Sequence, residues 1–134
     1  MYLFKLDATD STNSYLRQMS KSKDLGKWTV VTSDYQTQGR GQKGAVWESE
    51  KGKNLICSVL VKLNDFNAAD QFILNCAVSV GIHHYLKRYN LPKLKIKWPN
   101  DIMSVSKKLG GILIENTLVS DKISHSIIGI GINI

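Results

Sequence analysis

Hydrophobic and polar positions along the chain predict two helices and a series of short strands. Alternating or continuous runs of apolar, often β-branched residues are typical of strands, and such runs occupy positions 2–6, 28–31, 54–63, 94–98, 109–118 and 123–134. A dense run of helix-capping residues predicts a helix that begins near Ser11. The order β-α-β-β-α-β-β-β predicts an α+β fold, with a mixed or largely antiparallel β-sheet backed by helices.

The second helix is predicted between Ala68 and Leu86, and Pro92 follows shortly after it. Apolar residues recur there at helical spacing, which predicts the main core helix of the fold. The apolar residues that show this spacing are Ala68, Phe72, Ile73, Cys76, Ala77, Val80 and Leu86. His83 and His84 are adjacent on this helix, so they point to different faces and are a poor pair of metal ligands.

Length and composition indicate a globular chain. The 134 residues suffice for one domain, 1–134, with its own core. Hydrophobic residues make up 43% and charged residues 22%, and no apolar run approaches the ~20 residues that a membrane span needs. The N-terminus lacks the pattern of a signal peptide, and Cys57 and Cys76 lack a CxxC spacing. These features predict a cytoplasmic protein without membrane contact.

The formal net charge of +7 points to an anionic partner without choosing one. A basic surface suits a nucleotide, a nucleic acid or an acidic protein. A solvated lysine-rich surface explains the charge equally well. Charge alone therefore leaves the partner open.

The end of the chain is unusual, because it falls within the apolar run 127–134. Natural domains rarely stop on a bare apolar strand. We therefore expect a shortened product. An exposed strand or core face of this kind favours self-association, so a homodimer is one expected assembly.

The glycine-rich segment from Gly39 to Gly44 matches GxGxxG, the fingerprint of a dinucleotide site. That fingerprint must open a helix within a βαβ unit. Here Gly52 breaks the following segment and a strand begins soon after, which leaves no room for a crossover helix. The segment can instead wrap an anionic ligand, since glycines let the backbone approach and Arg40 and Lys43 add charged donors. The alternative is a flexible basic surface loop.

Three further segments place polar residues or glycines beside apolar strands, at 97–101, 107–115 and 129–133. Taken singly, they are typical of a turn, a hairpin and a tightly packed strand. In the last segment glycine alternates with isoleucine, which removes side chains from one face of a strand and opens space for a flat ligand. Their occurrence together in one small chain favours a binding site.

Five segments, in order, resemble the motifs of biotin–protein ligases. They are Ser-Thr-Asn at 11–13, Tyr-Gln-Thr-Gln-Gly-Arg-Gly at 35–41, Lys-Trp-Pro-Asn-Asp at 97–101, Lys-Leu-Gly-Gly-Ile-Leu-Ile-Glu at 108–115 and Gly-Ile-Gly-Ile-Asn at 129–133. The resemblance extends over almost the whole chain, and the second and third motifs together are specific. It implies a mixed sheet backed by helices, related to class II aminoacyl-tRNA synthetases and lipoate ligases.

The resemblance also implies a two-step reaction. Biotin attacks the α-phosphate of ATP, which carries Mg²⁺, to give biotinyl-5′-adenylate and pyrophosphate. A lysine of a biotin carboxyl carrier protein domain then takes the biotinyl group. Biotin, ATP and the carrier are thus the expected partners, and nucleic acid is not expected because the winged helix of repressor members is missing.

The family's functional residues fall on matching positions of this chain. The resemblance implies that Arg40 and Lys108 are catalytic, because they are expected where the biotin carboxylate meets the α-phosphate. Trp47 is expected to pack on adenine, and Asp101 to orient a neighbour rather than act as a base. The expected biotin contacts are Ser11, Thr12, Asn13, Gln36, Gly39, Arg40, Gly41, Lys108, Gly111, Gly129 and Gly131. The expected ATP or adenylate contacts are Gln42, Lys43, Trp47, Lys97, Asn100, Asp101 and Asn133. No protein ligand for a metal is predicted, and Mg²⁺ is expected to arrive with ATP.

Two departures from the family pattern qualify these expectations. Gln42 and Ala45 stand where the loop commonly has arginine, so weaker retention of the adenylate is expected unless Lys43 compensates. The C-terminal helix and small β-barrel of the family do not follow the last motif, so weak ligation is expected. The alternatives are a lipoate or octanoate ligase of the same fold, a non-catalytic module that binds biotin or a carrier, and a nucleic-acid binder.

Overall fold

The computed structural model describes residues 1–133 and contains a seven-stranded sheet with two α-helices. The helices are α1 (Thr12–Ser22) and α2 (Gln71–Leu86). The strands are β1 (Tyr2–Leu6), β2 (Trp28–Ser33), β3 (Asn54–Asn67), β4 (Leu94–Lys97), β5 (Asp101–Ser104), β6 (Lys107–Val119) and β7 (Lys122–Asn133). The predicted α+β class is confirmed. The predicted last strand included Ile134, which lies outside the described residues.

The strand order in the sheet is β1-β2-β3-β7-β6-β5-β4. β1 and β2 run parallel, because α1 connects them as a crossover, and every other neighbouring pair is antiparallel. β3, β7 and β6 are the long central strands. The sheet is therefore mixed, as the sequence predicted.

Helix α1 begins where the capping residues predicted it. The Ser11 hydroxyl accepts a hydrogen bond from the Ser14 backbone N–H, and the Ser11 carbonyl accepts one from Tyr15 N–H at 2.9 Å. Leu16 is fully buried and packs in a cluster with Val31, Leu60, Leu25 and Ile127. This cluster fixes α1, and with it residues 11–13, against one face of the sheet.

A second core lies on the opposite face. Ile128 belongs to a cluster with Val61, Leu86, Ile102 and Ile112. Ile127 and Ile128 are consecutive on β7, and consecutive side chains of a strand point to opposite faces. The sheet is thus packed between an α1 layer and an α2 layer.

The buried face of α2 differs from the expected one. Phe72, Ile73 and Val80 are more than half exposed, while Ile82 and Leu86 pack in the second core. The helix is apolar on nearly all sides, so spacing alone does not reveal which side meets the sheet. Neither helix described in residues 1–133 is long and apolar enough to cross a membrane.

Strand β5 was not predicted. It has four residues and directly follows the turn containing Pro99, whose peptide bond with Trp98 is cis. It pairs with β4 on one side and β6 on the other. It forms a meander with the two strands that flank it in sequence, and its own short pattern is a weak signal.

Candidate functional site

A cleft of about 240 Å³ opens between the N-terminus of α1, the segment joining β2 to β3, and the glycine-containing parts of β6 and β7. It brings together most of the residues that the motifs singled out. Those that line it are Ser11, Thr12, Asn13, Gln36, Arg40, Gly41, Gln42, Trp47, Asn100, Asp101, Lys108, Gly111, Gly129 and Gly131. The five motifs therefore converge on one site.

Four predicted site residues do not line this cleft. Gly39 closes the loop: its carbonyl accepts a hydrogen bond from Trp47 N–H at 2.9 Å, and a Cβ on it would overlap the Trp47 carbonyl oxygen. Lys43 is exposed in a short 3-10 turn with φ of 52°, and Lys97 is exposed on β4. Asn133 is exposed, and its side-chain amide donates to the Lys108 carbonyl at 3.3 Å. Their contacts with biotin or ATP stay predictions.

One end of the cleft is polar and buried. The Gln36 side-chain oxygen accepts a hydrogen bond from Thr12 N–H at 2.8 Å, which joins the loop to the start of α1. Ser58, on β3, is fully buried and its hydroxyl lies 2.7 Å from Thr12 Oγ1 and 2.5 Å from Asn13 Oδ1. Sequence reasoning missed Ser58, whose only signal is a hydroxyl within an apolar strand. The Gln36 amide nitrogen donates to no other group among residues 1–133, so this donor is left for a ligand.

Two cations, Arg40 and Lys108, also line the cleft. Arg40 Nη2 lies 2.9 Å from Glu115 Oε2, and Lys108 Nζ lies 2.8 Å from Asp101 Oδ1. The Arg40 and Lys108 side chains are nevertheless 40% and 45% exposed, so each cation is anchored by a carboxylate and remains accessible. Glu115 also pairs with Arg17. Glu115 lies in the motif at 108–115, but no role was predicted for it from the sequence.

The turn between β4 and β5 places Asp101 beside Lys108. Asn100 is bound to β6 through its side-chain amide, which donates to the Ile112 carbonyl at 2.9 Å. Its own carbonyl accepts from Ile112 N–H at 3.0 Å. These two bonds hold the turn against β6, so that the next residue, Asp101, faces Lys108.

The Trp47 indole covers the glycines of the central strands. A Cβ on Gly131 would lie 2.5 Å from Trp47 Cε2 and Cζ2, and one on Gly111 would lie 3.1 Å from Cζ3. The Lys108 ammonium lies 5.7 Å from the centroid of the Trp47 ring. Gly129 similarly makes room for Asn13, because a Cβ there would overlap Asn13 Oδ1. The space opened by these glycines is thus filled by protein side chains, a use that the alternating pattern did not reveal.

The titratable groups that line the cleft include one partly buried cysteine, Cys57. Burial raises the pKa of the Cys57 thiol to about 11, so the thiol stays protonated near neutral pH. Within residues 1–133 no group of three or more His, Cys, Asp or Glu side chains is placed to hold a metal ion. The chemically useful groups are therefore the buried polar end and the two cations.

A family model described as the biotin/lipoate A/B protein ligase family matches residues 6–133. The chain belongs to this family. The match confirms the resemblance that the five motifs carried, and it extends over nearly all of the chain.

Individual ligases match over the same range. The bifunctional ligase/repressor BirA of Salmonella typhimurium is 34% identical over 128 residues, which are 96% of this chain and 39% of BirA. Biotin–protein ligase 1, chloroplastic, of Arabidopsis thaliana is 36% identical over 115 residues, which are 83% of this chain and 31% of that protein.

Solved structures of ligases share the fold. The biotin protein ligase of Leishmania major in complex with biotinyl-5-AMP superposes with a TM-score of 0.81 at 30% identity, covering 99% of this chain and 57% of that one. The Aquifex aeolicus enzyme in complex with biotin and ATP gives 0.73 at 34% identity, covering 99% and 52%. The chain thus spans about 39% of the length of BirA and little more than half of these solved chains.

Proposed function

We propose that this chain activates biotin with ATP to biotinyl-5′-adenylate, for transfer to a lysine of a biotin carboxyl carrier protein domain. The observation that carries the proposal is the polarity of the cleft. Its lining holds hydroxyl and amide groups at Thr12 and Gln36 together with the two cations Arg40 and Lys108. Biotin has a urea at one end and a carboxylate at the other.

The polar end suits the urea ring of biotin. A urea needs donors for its oxygen and acceptors for its two N–H groups. The Gln36 amide nitrogen and the Ser11 hydroxyl can donate, and the Thr12 hydroxyl can accept. Lipoate has no urea, so its dithiolane would leave these polar groups unpaired, at a cost of about 1–3 kcal/mol for each buried group. This difference favours biotin over lipoate or octanoate.

The two cations, Arg40 and Lys108, suit the first step of the reaction, in which biotin and ATP form the adenylate. A biotin carboxylate oxygen bonds to the α-phosphorus of ATP, the bond from that phosphorus to the bridging oxygen breaks, and pyrophosphate leaves. No proton needs to move. Arg40 and Lys108 offset the repulsion between carboxylate and phosphate and stabilise the charge that develops, while Mg²⁺ enters with ATP. Asp101 orients the Lys108 ammonium.

The second step needs only a nucleophile and a leaving group. The amine nitrogen of a carrier lysine bonds to the acyl carbon of the adenylate, the acyl–oxygen bond breaks, and AMP leaves. The amine proton passes to solvent water. Trp47 and Gln42 line the cleft and are expected beside the adenylate, whereas Lys43, Lys97 and Asn133 could contribute only from outside the cleft.

Pyrophosphate release dependent on biotin tests the proposal. With biotin, ATP and Mg²⁺ we expect release, and Lys108→Ala should slow it by roughly 10²–10³-fold, the typical loss on removing one electrostatic stabiliser of a transition state. Lys107→Ala is the matched control, since it removes the same charge from the adjacent exposed residue and should leave the rate nearly unchanged.

Two results would redirect the assignment. Release that depends on lipoate or octanoate rather than biotin would establish the alternative ligase. Saturable biotin binding without pyrophosphate release would identify a binding module. Near-normal release by a folded Lys108→Ala variant would contradict the role given to Lys108.

A further inference from the structure

Asn13 bridges three strands of the sheet across the bottom of the cleft. In the strand register, Ser58 of β3 pairs with Gly129 of β7, and Gly129 pairs with Leu113 of β6. Asn13 lies over Gly129 and uses both ends of its amide. Its oxygen is 2.5 Å from Ser58 Oγ, and its nitrogen donates to Glu115 Oε2 at 2.8 Å. A side chain at position 129 would exclude this bridge.

The Asn13 bridge determines which oxygen accepts the hydroxyl proton of Ser58. Ser58 has one hydroxyl proton and two oxygens within reach, Asn13 Oδ1 at 2.5 Å and Thr12 Oγ1 at 2.7 Å. The Asn13 oxygen can only accept, so the Ser58 proton goes to it. The Thr12 hydroxyl proton then has two acceptors within reach, Ser58 Oγ at 2.7 Å and Gln36 Oε1 at 3.1 Å, and Gln36 also keeps its hydrogen bond from Thr12 N–H.

This series of hydrogen bonds ends at the guanidinium of Arg40. Glu115 receives the Asn13 amide on the same oxygen that lies 2.9 Å from Arg40 Nη2, and its second oxygen pairs with Arg17. The Glu115 side chain is only 19% exposed, so the pair is partly shielded from water. Arginine carries five N–H donors, and those turned away from Glu115 remain for a ligand anion.

We infer that Ser58 and Glu115 are positioning residues, which orient Arg40 through the bonds from Thr12 to Ser58, Asn13 and Glu115. The bonds connect Thr12 to Arg40, so that a group bound at Thr12 and the guanidinium of Arg40 are coupled. Ser58 is fully buried in an otherwise apolar stretch of β3, at residues 55–61, where a hydroxyl is costly unless it is hydrogen-bonded. This inference rests on the proposed function, because it assigns Arg40 to the bound biotin.

Biotin affinity, measured by calorimetry, tests the coupling. Ser58→Ala and Glu115→Gln should each raise the Kd roughly 5–10-fold, the size expected for a lost hydrogen bond. Glu50→Gln is the matched control, because it makes the same charge change in an exposed ion pair with Lys53 and should leave the Kd unchanged. Equal Kd values for Glu115→Gln and the unmodified chain would overturn the inference.

A double-mutant cycle separates positioning from general loss of structure. Ser58 and Arg40 share no direct bond, so independent effects would multiply. We expect Ser58→Ala combined with Arg40→Gln to weaken binding by less than the product of the two single losses. Losses that multiply would overturn the inference. Should Ser58→Ala fail to fold by circular dichroism, Ser58→Cys supplies the same cycle, because a thiol is a much weaker hydrogen-bond donor than a hydroxyl.

Trypsin gives a readout that does not need biotin. The bond after Arg40 should be cut several-fold faster in folded Glu115→Gln than in the unmodified chain or in Glu50→Gln, because the loop loses its anchor. Equal rates would overturn the inference. Absence of saturable biotin binding by the unmodified chain would instead contradict the proposed function, while the trypsin comparison would still decide the positioning role.

Discussion

Replacing Gly131 by alanine should displace the Trp47 indole from the cleft. The added Cβ would lie 2.5 Å from Trp47 Cε2 and Cζ2 and 3.0 Å from Nε1. Ordinary contacts of a Cβ begin near 3.4 Å, so the ring must move by about 1 Å or leave the glycine surface. The backbone at Gly131 does not have the positive φ that favours glycine, so the clash with the ring is the main consequence.

The magnitude follows from packing. An extra methyl group in a filled space typically costs about 1–3 kcal/mol. Replacing glycine returns about 0.4–1 kcal/mol through the unfolded chain. We therefore expect Gly131→Ala to lower the free energy of unfolding by roughly 1–2 kcal/mol.

Urea unfolding and tryptophan emission measure the effect. Emission should be followed in a background where Trp28 and Trp98 are phenylalanine, so that Trp47 alone reports, and Gly131→Ala should shift its maximum to the red. Gly81→Ala is the control: nothing lies within 4 Å of a Cβ there. In the helix interior it should stabilise by about 0.5–1 kcal/mol. Unchanged emission and stability in Gly131→Ala would refute the placement of Trp47 on this glycine.

Two further predictions concern Gln42, in the segment between β2 and β3, and His125, on β7. Gln42→Arg should slow release of the adenylate severalfold, because a guanidinium can bind phosphate in a bidentate manner. A chase with unlabelled biotin measures the release rate. An unchanged rate would show that position 42 does not hold the adenylate. Burial, followed by the charge of Lys62, lowers the pKa of His125 below its usual 6.5. The unfolded chain therefore binds this proton first as pH falls through 6.5, so stability should fall between pH 6.5 and the lowered pKa. Urea unfolding at pH 7 and pH 5 should show a larger loss for the unmodified chain than for His125→Asn, and equal losses would contradict the assignment to His125.

Local signals explain what the sequence could predict. The start of α1 depends on Ser11 and its neighbours, and long strands such as β3 carry their own β-branched pattern, so both were predictable. The motif segments lie at the start of α1, after β2, at the turn between β4 and β5, and along β6 and β7. The polar and cationic character of the cleft could therefore be predicted from the sequence.

Weak local patterns and strand register explain what the sequence could not predict. β5 is a four-residue strand with a weak pattern of its own, and α2 is too uniformly apolar to identify its buried face. The bridge from Ser58 through Asn13 to Glu115 depends on the register between β3 and the distant hairpin of β6 and β7, and on the position of α1 above them. The same register decides that Gly129 makes room for Asn13 and Gly131 for Trp47.

Native mass spectrometry of the chain after incubation with biotin, ATP and Mg²⁺ tests the central claim most directly, because it detects binding and activation together without a carrier. The proposed function predicts one biotinyl-5′-adenylate per chain, lost in Lys108→Ala and retained in Lys107→Ala. No such adduct forms with lipoate in this account. A lipoyl adenylate without a biotinyl adenylate, or biotin bound unchanged beside intact ATP, would contradict it.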